Sequence, residues 1–289
     1  AGEVLALTLE DIEKRIESEG TVTGVTTGFT ELDRITGGWQ KSDLIILAAR
    51  PGMGKTGLAL NLCMNTIKKQ SSKVAIFTLE MSRSQLMERI LSSESRVDST
   101  SLRKGDLSEE DQDRLIHAAR QINEKGSNLV IDETPGITLS ELRSRCKRYQ
   151  RESGLDFVVI DYLQLMSASS TARKQGRERE ISEISTGLKA LAKELCIPII
   201  ACAQLNRGPD ARPDKRPRMS DLRESGSMEQ DADLILFIYR DDYYNNNSED
   251  IGKAEIIVSK NRHGETSSVQ LAWLPNFVSF HNLAEDSVN

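Results

Sequence analysis

Apolar residues in this chain fall into short, dense runs more often than into strict alternation. "LIILAA" (44–49), "KVAIFTL" (73–79), "NLVID" (128–132), "DFVVID" (156–161), "IPIIACAQL" (197–205) and "ADLILFIYR" (232–240) each read as a strand buried on both faces. Most of these runs are separated by helical segments, over 55–69, 82–95, 108–125, 138–153 and 178–195. Buried strands alternating with helices predict an α/β fold: a mostly parallel twisted sheet with helices on both faces. The tail breaks the rhythm. "KAEIIVSK" and "SSVQLAWLP" flank a short loop and predict a C-terminal antiparallel hairpin at the sheet's edge, with "VSKNRHGET" (258–266) at its tip.

Residues 1–20 stand apart. "TLEDIEKRIESEG" predicts a helix capped by Thr8, with acids in its first turn and a stop at Gly20. Leu9, Ile12 and Ile16 fall at helical spacing, a narrow apolar stripe that needs a surface, either its own domain's or a neighbour's. Two polar loops rich in arginine, 167–180 and 206–227, follow predicted strands on the side where α/β sheets place their ligand sites. A third, 241–250, reads as a flexible surface insertion.

Composition narrows the function classes. The 289 residues can bury a sizeable core and suit one large α/β domain better than two. No apolar run approaches the roughly 18 residues of a membrane span, and no secretory signal pattern is present. The opening "AGEV" lacks a methionine, which points to a truncated or processed product with a preceding domain missing. Cys63, Cys146, Cys196 and Cys202 form no CxxC pair, so a zinc site or a disulfide framework is disfavoured. A net charge of −6 excludes a generally basic nucleic-acid coat and confines any such contact to a local groove or channel.

Chemistry enters at "ARPGMGKT" (49–56), which follows a buried strand and opens a helix, the context a phosphate-binding loop requires. The candidate nucleotide contacts are Arg50, Pro51, Gly52, Met53, Gly54, Lys55, Thr56 and Gly57. Backbone N–H groups from Gly52 to Thr56 would wrap phosphates, Lys55 would neutralise the β and γ oxygens, and Thr56 would ligate Mg²⁺. An acid is also needed at the end of a neighbouring strand to hold Mg²⁺, and two compete: Asp132, with Glu133 beside it, and Asp161. Glu80, closing "AIFTLEMS", is placed either to deprotonate an attacking water or to sit as an N-terminal charge before the next helix.

Together these stretches resemble the ATPase domain of the DnaB-type replicative DNA helicases, a RecA-like motor. The resemblance rests on 24–56, "FTLEMS" (77–82), "VVIDYLQLM" (158–166), "AQLNR" (203–207), "DLRESGSMEQDAD" (221–233) and "VSKNRHG" (258–264), in the family's order and across nearly the whole chain. It implies a RecA-like P-loop NTPase using ATP and Mg²⁺. Asp161 becomes the Walker B aspartate, Glu80 the catalytic base, and Gln204 the sensor that couples the γ-phosphate to the DNA loops. Residues 1–20 become a linker helix docking on the next subunit, 21–289 the motor, and an N-terminal scaffolding domain is missing. It further implies a homo-hexameric ring, weakened by that loss, moving 5′ to 3′ on single-stranded DNA. Primase and a helicase loader would be partners. The setting would be a bacterial cytoplasm, or an infected host cell for a phage protein.

The arginine loops carry no aromatic residue for stacking bases, so backbone tracking is expected rather than sequence reading. The resemblance points to Arg223, Glu224 and Gly226 as contacts to single-strand phosphates, with Arg207 and Arg218 adding positive charge. It makes Arg262, with Lys260 beside it, a finger that reaches the ATP of the adjacent subunit, and leaves His263 as a turn residue. A recombinase-like filament ATPase and a nucleotide-binding interaction module remain the competing readings.

Overall fold

The computed structural model describes Leu5, Leu9, residues 22–222 and residues 226–283. The expected linker helix, with Ile12 and Ile16, lies outside these residues, as do Arg223 and Glu224.

The strands are β1 (Leu44–Ala49), β2 (Val74–Thr78), β3 (Leu129–Asp132), β4 (Phe157–Asp161), β5 (Ile199–Gln204), β6 (Leu234–Tyr239), β7 (Lys253–Asn261), β8 (Ser267–Leu274) and β9 (Ser279–Asn282). They form one nine-stranded sheet in the order β3-β2-β4-β5-β1-β6-β7-β8-β9. The first six strands of that order pair in parallel and the rest antiparallel. The chemistry of the runs explains this division. β1 and β6 are buried at every position, because helices cover both faces. β7 instead alternates buried and half-buried residues, as suits a strand with one wetter face.

The larger helices are α1 (Thr30–Thr36), α2 (Lys55–Gln70), α3 (Arg83–Ser95), α4 (Ser99–Lys104), α5 (Glu109–Glu124), α6 (Leu139–Ser153), α7 (Ser170–Gln175) and α8 (Arg177–Leu195). Three one- or two-turn helices follow: α9 (Gly208–Ala211), α10 (Gly226–Asp231) and α11 (Asp241–Tyr244). Caps set the boundaries where the sequence supplies them. Ser82 with Gln85, Ser108 with Asp111 and Thr138 with Glu141 form capping boxes at the starts of α3, α5 and α6. Alternate residues of β1 face two separate cores. Ile45 and Leu47 join the α2 side, while Leu44 and Ile46 join the α8 side.

The sheet differs from expectation at its far edge, where β9 pairs with β8, so the β7–β8 hairpin is not the edge. Its turn is exposed but anchored to the rest of the domain. Asn261 Nδ2 donates to the Ile35 carbonyl at 3.4 Å, and His263 Nε2 meets both Asp43 oxygens at 3.0 and 2.9 Å. The 241–250 segment is not a loose insertion: the Tyr243 ring packs against Gly52, and Ser248 is buried.

Candidate active site

β1 ends at Ala49, and the turn from Arg50 to Gly54 delivers the chain into α2. Gly52 (φ +82°) and Gly54 (φ +94°) adopt left-handed backbone that side chains rarely tolerate, and a β-carbon at Gly54 would meet the Phe280 ring at 2.8 Å. No side chain caps α2, and no acid lies in its first turn. The orphan N–H groups of that turn are therefore left for an anion from solution.

Parallel register aligns the carboxyl ends of the neighbouring strands. Ala49 pairs with Gln204, and Thr78 with Asp161. Lys55 Nζ lies 2.6 Å from Asp161 Oδ1, and the Thr56 hydroxyl donates to Asp161 Oδ2 at 2.7 Å. Both are within reach because β4 lies only one strand removed from β1. Burial works against the Lys55 ammonium, yet its pKa ends raised, since the negative surroundings, Asp161 and Glu80 among them, outweigh that penalty. A carboxylate joined to a hydroxyl suits Mg²⁺, which takes one or two protein ligands and completes its shell with water and phosphate. Among the described residues no cluster of three or more His, Cys, Asp or Glu side chains could hold a metal alone.

The sheet order brings only one of the two acids beside Lys55 and Thr56. β3 is the edge strand, separated from β1 by β2, β4 and β5. Asp132 is 3% exposed and already occupied, accepting from Arg145, from the Tyr149 hydroxyl at 3.1 Å and from Thr134 Oγ1 at 2.7 Å. Burial pushes its pKa up, but these bonds prevail and hold it below the usual carboxylate range. Asp132→Ala should therefore leave hydrolysis in place while costing about 1–3 kcal/mol of stability, since buried donors lose their acceptor. Asp161→Asn should instead abolish most hydrolysis, because Lys55 and Thr56 lose the carboxylate between them. Denaturant unfolding and a phosphate-release assay on both variants check the pair.

Glu80 stands on the turn between β2 and α3 and is exposed toward the cleft. The alternative role, a helix N-terminal charge, is taken by others: Ser82 caps α3, and Glu133 Oε2 accepts from the Arg83 N–H at 2.8 Å. Glu80 has no hydrogen-bond partner among the described residues, so its carboxylate is available to a water. The cleft encloses about 540 Å³ and is lined by the P-loop, Glu80, Gln204 and Tyr162, and also by Gln85, Arg89 and Trp273. Lys55 Nζ lies 4.8 Å from the centre of the Tyr162 ring.

Gln204 closes β5, its carbonyl accepting from Gln164 Nε2 at 3.2 Å and its N–H donating to Gln164 Oε1 at 3.3 Å. It lines this cleft and, with Tyr162, a neighbouring one of about 400 Å³ bounded by Leu205, Asn206 and Asp221. Of the other expected contacts, Met53 is buried and Pro51 is exposed at the turn. Gly57 lies under Val278, whose carbonyl a β-carbon would meet at 2.7 Å. The Arg50 side chain departs from expectation. It bonds the loop after β5 rather than facing the phosphates.

Lys260 and Arg262 are not brought to this cleft. They sit beside the amino-terminal ends of β1 and β6, and the six-residue β1 places the P-loop roughly 20 Å away. The Arg262 N–H donates to the Asp233 carbonyl at 2.8 Å, and Nη1 donates to Asp233 Oδ1 at 3.1 Å, yet the side chain remains 66% exposed. Lys260 Nζ donates to the carbonyls of Glu229 and Ala232 at 2.7 and 2.6 Å, capping the end of α10. His263, expected to be a bare turn residue, is engaged with Asp43.

The arginine loop also differs from the free positive surface expected. Arg212 pairs with Asp221, Arg216 with Glu255 and Arg218 with Asp214. Arg207 is exposed and has no ion-pair partner among the described residues. Gly226 opens α10 with open space where a β-carbon would stand. Its glycine is thus not demanded by packing within the chain.

Comparison with known proteins places the chain in a family. The chain is 50% identical over 281 residues to "Replicative DNA helicase DnaB" of Geobacillus stearothermophilus, covering 97% of this chain and 61% of that protein. It is 51% identical over 286 residues to the protein of the same name from Haemophilus influenzae, covering 98% and 60%. The chain thus spans about three fifths of the length of these relatives. Among solved structures, one described as an ATPase domain matches with a TM-score of 0.91 at 37% identity, covering 98% of both chains. A second, a DnaB-like replicative helicase described with its interactions with primase, matches at 0.89 and 37%, covering 98% of this chain and 67% of that one. Residues 24–282 match the family described as "DnaB-like helicase C terminal domain", and the chain belongs to that family.

Proposed function

We propose that this chain is the motor of a replicative DNA helicase. It hydrolyses ATP at the interfaces of a homo-hexameric ring to move 5′ to 3′ along single-stranded DNA and open the duplex. The observation that carries this reading is the division of the site. Lys55, Thr56 and Asp161 converge beside the unengaged Glu80, while the exposed Arg262 stands at the other end of β1, out of reach of its own P-loop.

In this mechanism the P-loop N–H groups and Lys55 hold the ATP phosphates, and Glu80 takes the proton of the water that attacks the γ-phosphorus. Mg²⁺, held by Thr56 and Asp161, would neutralise charge on the β and γ oxygens when bound. Arg262 of the next subunit meets the γ-phosphate as charge develops on it. Lys260 joins only by leaving the carbonyls of Glu229 and Ala232. Gln204, lining both clefts, is placed to report the γ-phosphate to the loop after β5.

The DNA surface comprises Arg207, Arg218 and the Gly226 N–H, with Arg223 and Glu224 of the same stretch. Arg218 contributes by giving up Asp214. Primase and a helicase loader are the partners this reading entails, in a bacterial cytoplasm or an infected host cell. The test is ATP turnover with and without single-stranded DNA, alongside unwinding of a forked duplex. Stimulation with unwinding supports the motor; turnover indifferent to DNA and no unwinding would favour an interaction module instead. Arg207→Ala should weaken single-strand binding equally for all sequences and reduce the slope of log K against log salt by roughly one contact's worth, about 0.7. Fluorescence anisotropy at several salt concentrations measures both, and an unchanged slope removes Arg207 from the channel.

A further inference from the structure

Arg50 opens the P-loop, yet its side chain grips the loop after β5. Nε and Nη2 donate to Oδ1 and Oδ2 of Asp210 at 3.2 and 2.5 Å, and Nη1 donates to the Leu205 carbonyl at 3.0 Å. The Arg50 side chain is only 16% exposed. A planar guanidinium matched to both oxygens of a carboxylate fixes direction as well as distance, which a lysine in the same place would not.

Asp210 is the hub of its surroundings. The Tyr244 hydroxyl donates to Oδ1 at 3.0 Å, and the Asp210 carbonyl accepts from Lys215 Nζ at 2.6 Å. The Arg50 bond is foremost in holding the Asp210 carboxyl below its usual range. Asp210 sits on α9, three residues after Arg207. The stretch beyond it is cross-braced, with Arg212 Nη1 donating to Asp221 Oδ1 at 2.9 Å and the Arg218 N–H to Asp221 Oδ2 at 2.7 Å. The Asn206 N–H closes the brace on the Asp221 carbonyl at 3.1 Å. The loop is thus braced within itself, is tied to β7 by Arg216 and Glu255, and meets the P-loop through the bidentate Arg50–Asp210 pair and the Arg50 bond to the Leu205 carbonyl. On the other side of that pair, the Tyr243 ring fills the place of a Gly52 β-carbon at 2.9 Å and meets the Tyr244 ring edge-on at 5.2 Å. The P-loop turn and the stretch that bears Arg207 and Arg218 are therefore in direct contact, through Arg50 on one side and Tyr243 on the other.

We propose that the Arg50–Asp210 pair is a strut that makes single-strand affinity depend on nucleotide in the same subunit's P-loop, both residues acting as positioning residues. The inference rests on the motor reading above and adds a route separate from Gln204. Linkage makes the effect measurable from either ligand, because nucleotide changes DNA affinity by the factor with which DNA changes nucleotide affinity.

The test uses a labelled oligothymidine and fluorescence anisotropy on the whole chain, without nucleotide and with a non-hydrolysable ATP analogue plus Mg²⁺. In the unaltered protein the two affinities should differ by about 5- to 150-fold, the usual range for coupled sites. Asp210→Asn removes the charge and sets a carboxamide N–H against the guanidinium donors. Its ratio should fall to within about twofold of one, while its basal hydrolysis without DNA and its nucleotide-free DNA affinity stay within about twofold of the unaltered protein. Asp210→Glu, which restores the carboxylate, should regain part of the ratio. Tyr244→Phe, which removes a donor to the same carboxylate and leaves the fork in place, should keep it. An unchanged ratio in Asp210→Asn overturns the strut. So does DNA binding weakened equally in both nucleotide states, or a loss in Tyr244→Phe as large as in Asp210→Asn. An unaltered protein that binds no single-stranded DNA in either state overturns the motor reading, and the strut with it.

Discussion

Arg262→Ala is expected to lower ATP turnover by about three to five orders of magnitude while leaving nucleotide binding nearly intact. In the proposed mechanism its charge is needed only as the γ-phosphoryl group departs, so the loss should appear in kcat and not in the dissociation constant. Within one subunit the side chain has no route to the P-loop, since it lies beside the opposite end of β1. On the proposed reading the loss is therefore felt in the neighbour. Mixing Arg262→Ala chains with Glu80→Gln chains tests this directly. Either parent alone is inactive, but an interface that takes Glu80 from one chain and Arg262 from the other is complete. Recovered hydrolysis in the mixture supports delivery across the interface; mixtures as inactive as the parents would defeat it. Folding is not at issue, because Asp233 keeps Lys189 and the Leu44 N–H when Arg262 is removed.

Glu80→Gln should reduce turnover by about 10²- to 10⁴-fold, the usual contribution of a positioned general base. The amide keeps the shape of the carboxylate but cannot accept the water's proton at neutral pH. Nucleotide affinity should hold, because among the described residues Glu80 has no hydrogen-bond or ion-pair partner and its side chain is exposed. Single-turnover measurements with saturating ATP and Mg²⁺ isolate the chemical step. A variant that hydrolyses at the normal rate would return Glu80 to the status of a surface charge.

Most of the sheet was legible because burial on both faces leaves an unmistakable mark. The six apolar runs became β1 to β6, with ends shifted by at most two residues. β9 was not legible. "SFHN" is too short and too polar to signal a strand, and it forms only because β8 offers an open edge beside it. Within the site, Lys55 and Thr56 follow from local spacing, but no local pattern separates Asp161 from Asp132. Which of them stands beside Lys55 and Thr56 depends on strand order, a property of the whole chain. The Arg50–Asp210 pair spans 160 residues. The sequence shows an arginine-rich loop with a few acids, and which charges cancel is settled only by contact. For the same reason the loop read as an open phosphate-binding surface, whereas Arg212, Arg216 and Arg218 are already paired.

β1 has the P-loop turn at one end and, through the Asp233 contact to the Leu44 N–H, the exposed Arg262 at the other. On the trans reading every subunit is therefore a donor at one face and a recipient at the opposite face, so its interface is head-to-tail and not self-complementary. A lone subunit then owns two halves of different sites and no complete one. An open string always wastes a half at each end, and only closure into a ring gives every bound ATP its partner. Assembly and competence become the same event, and a chain that falls out of the ring stops consuming fuel without any separate inhibitor.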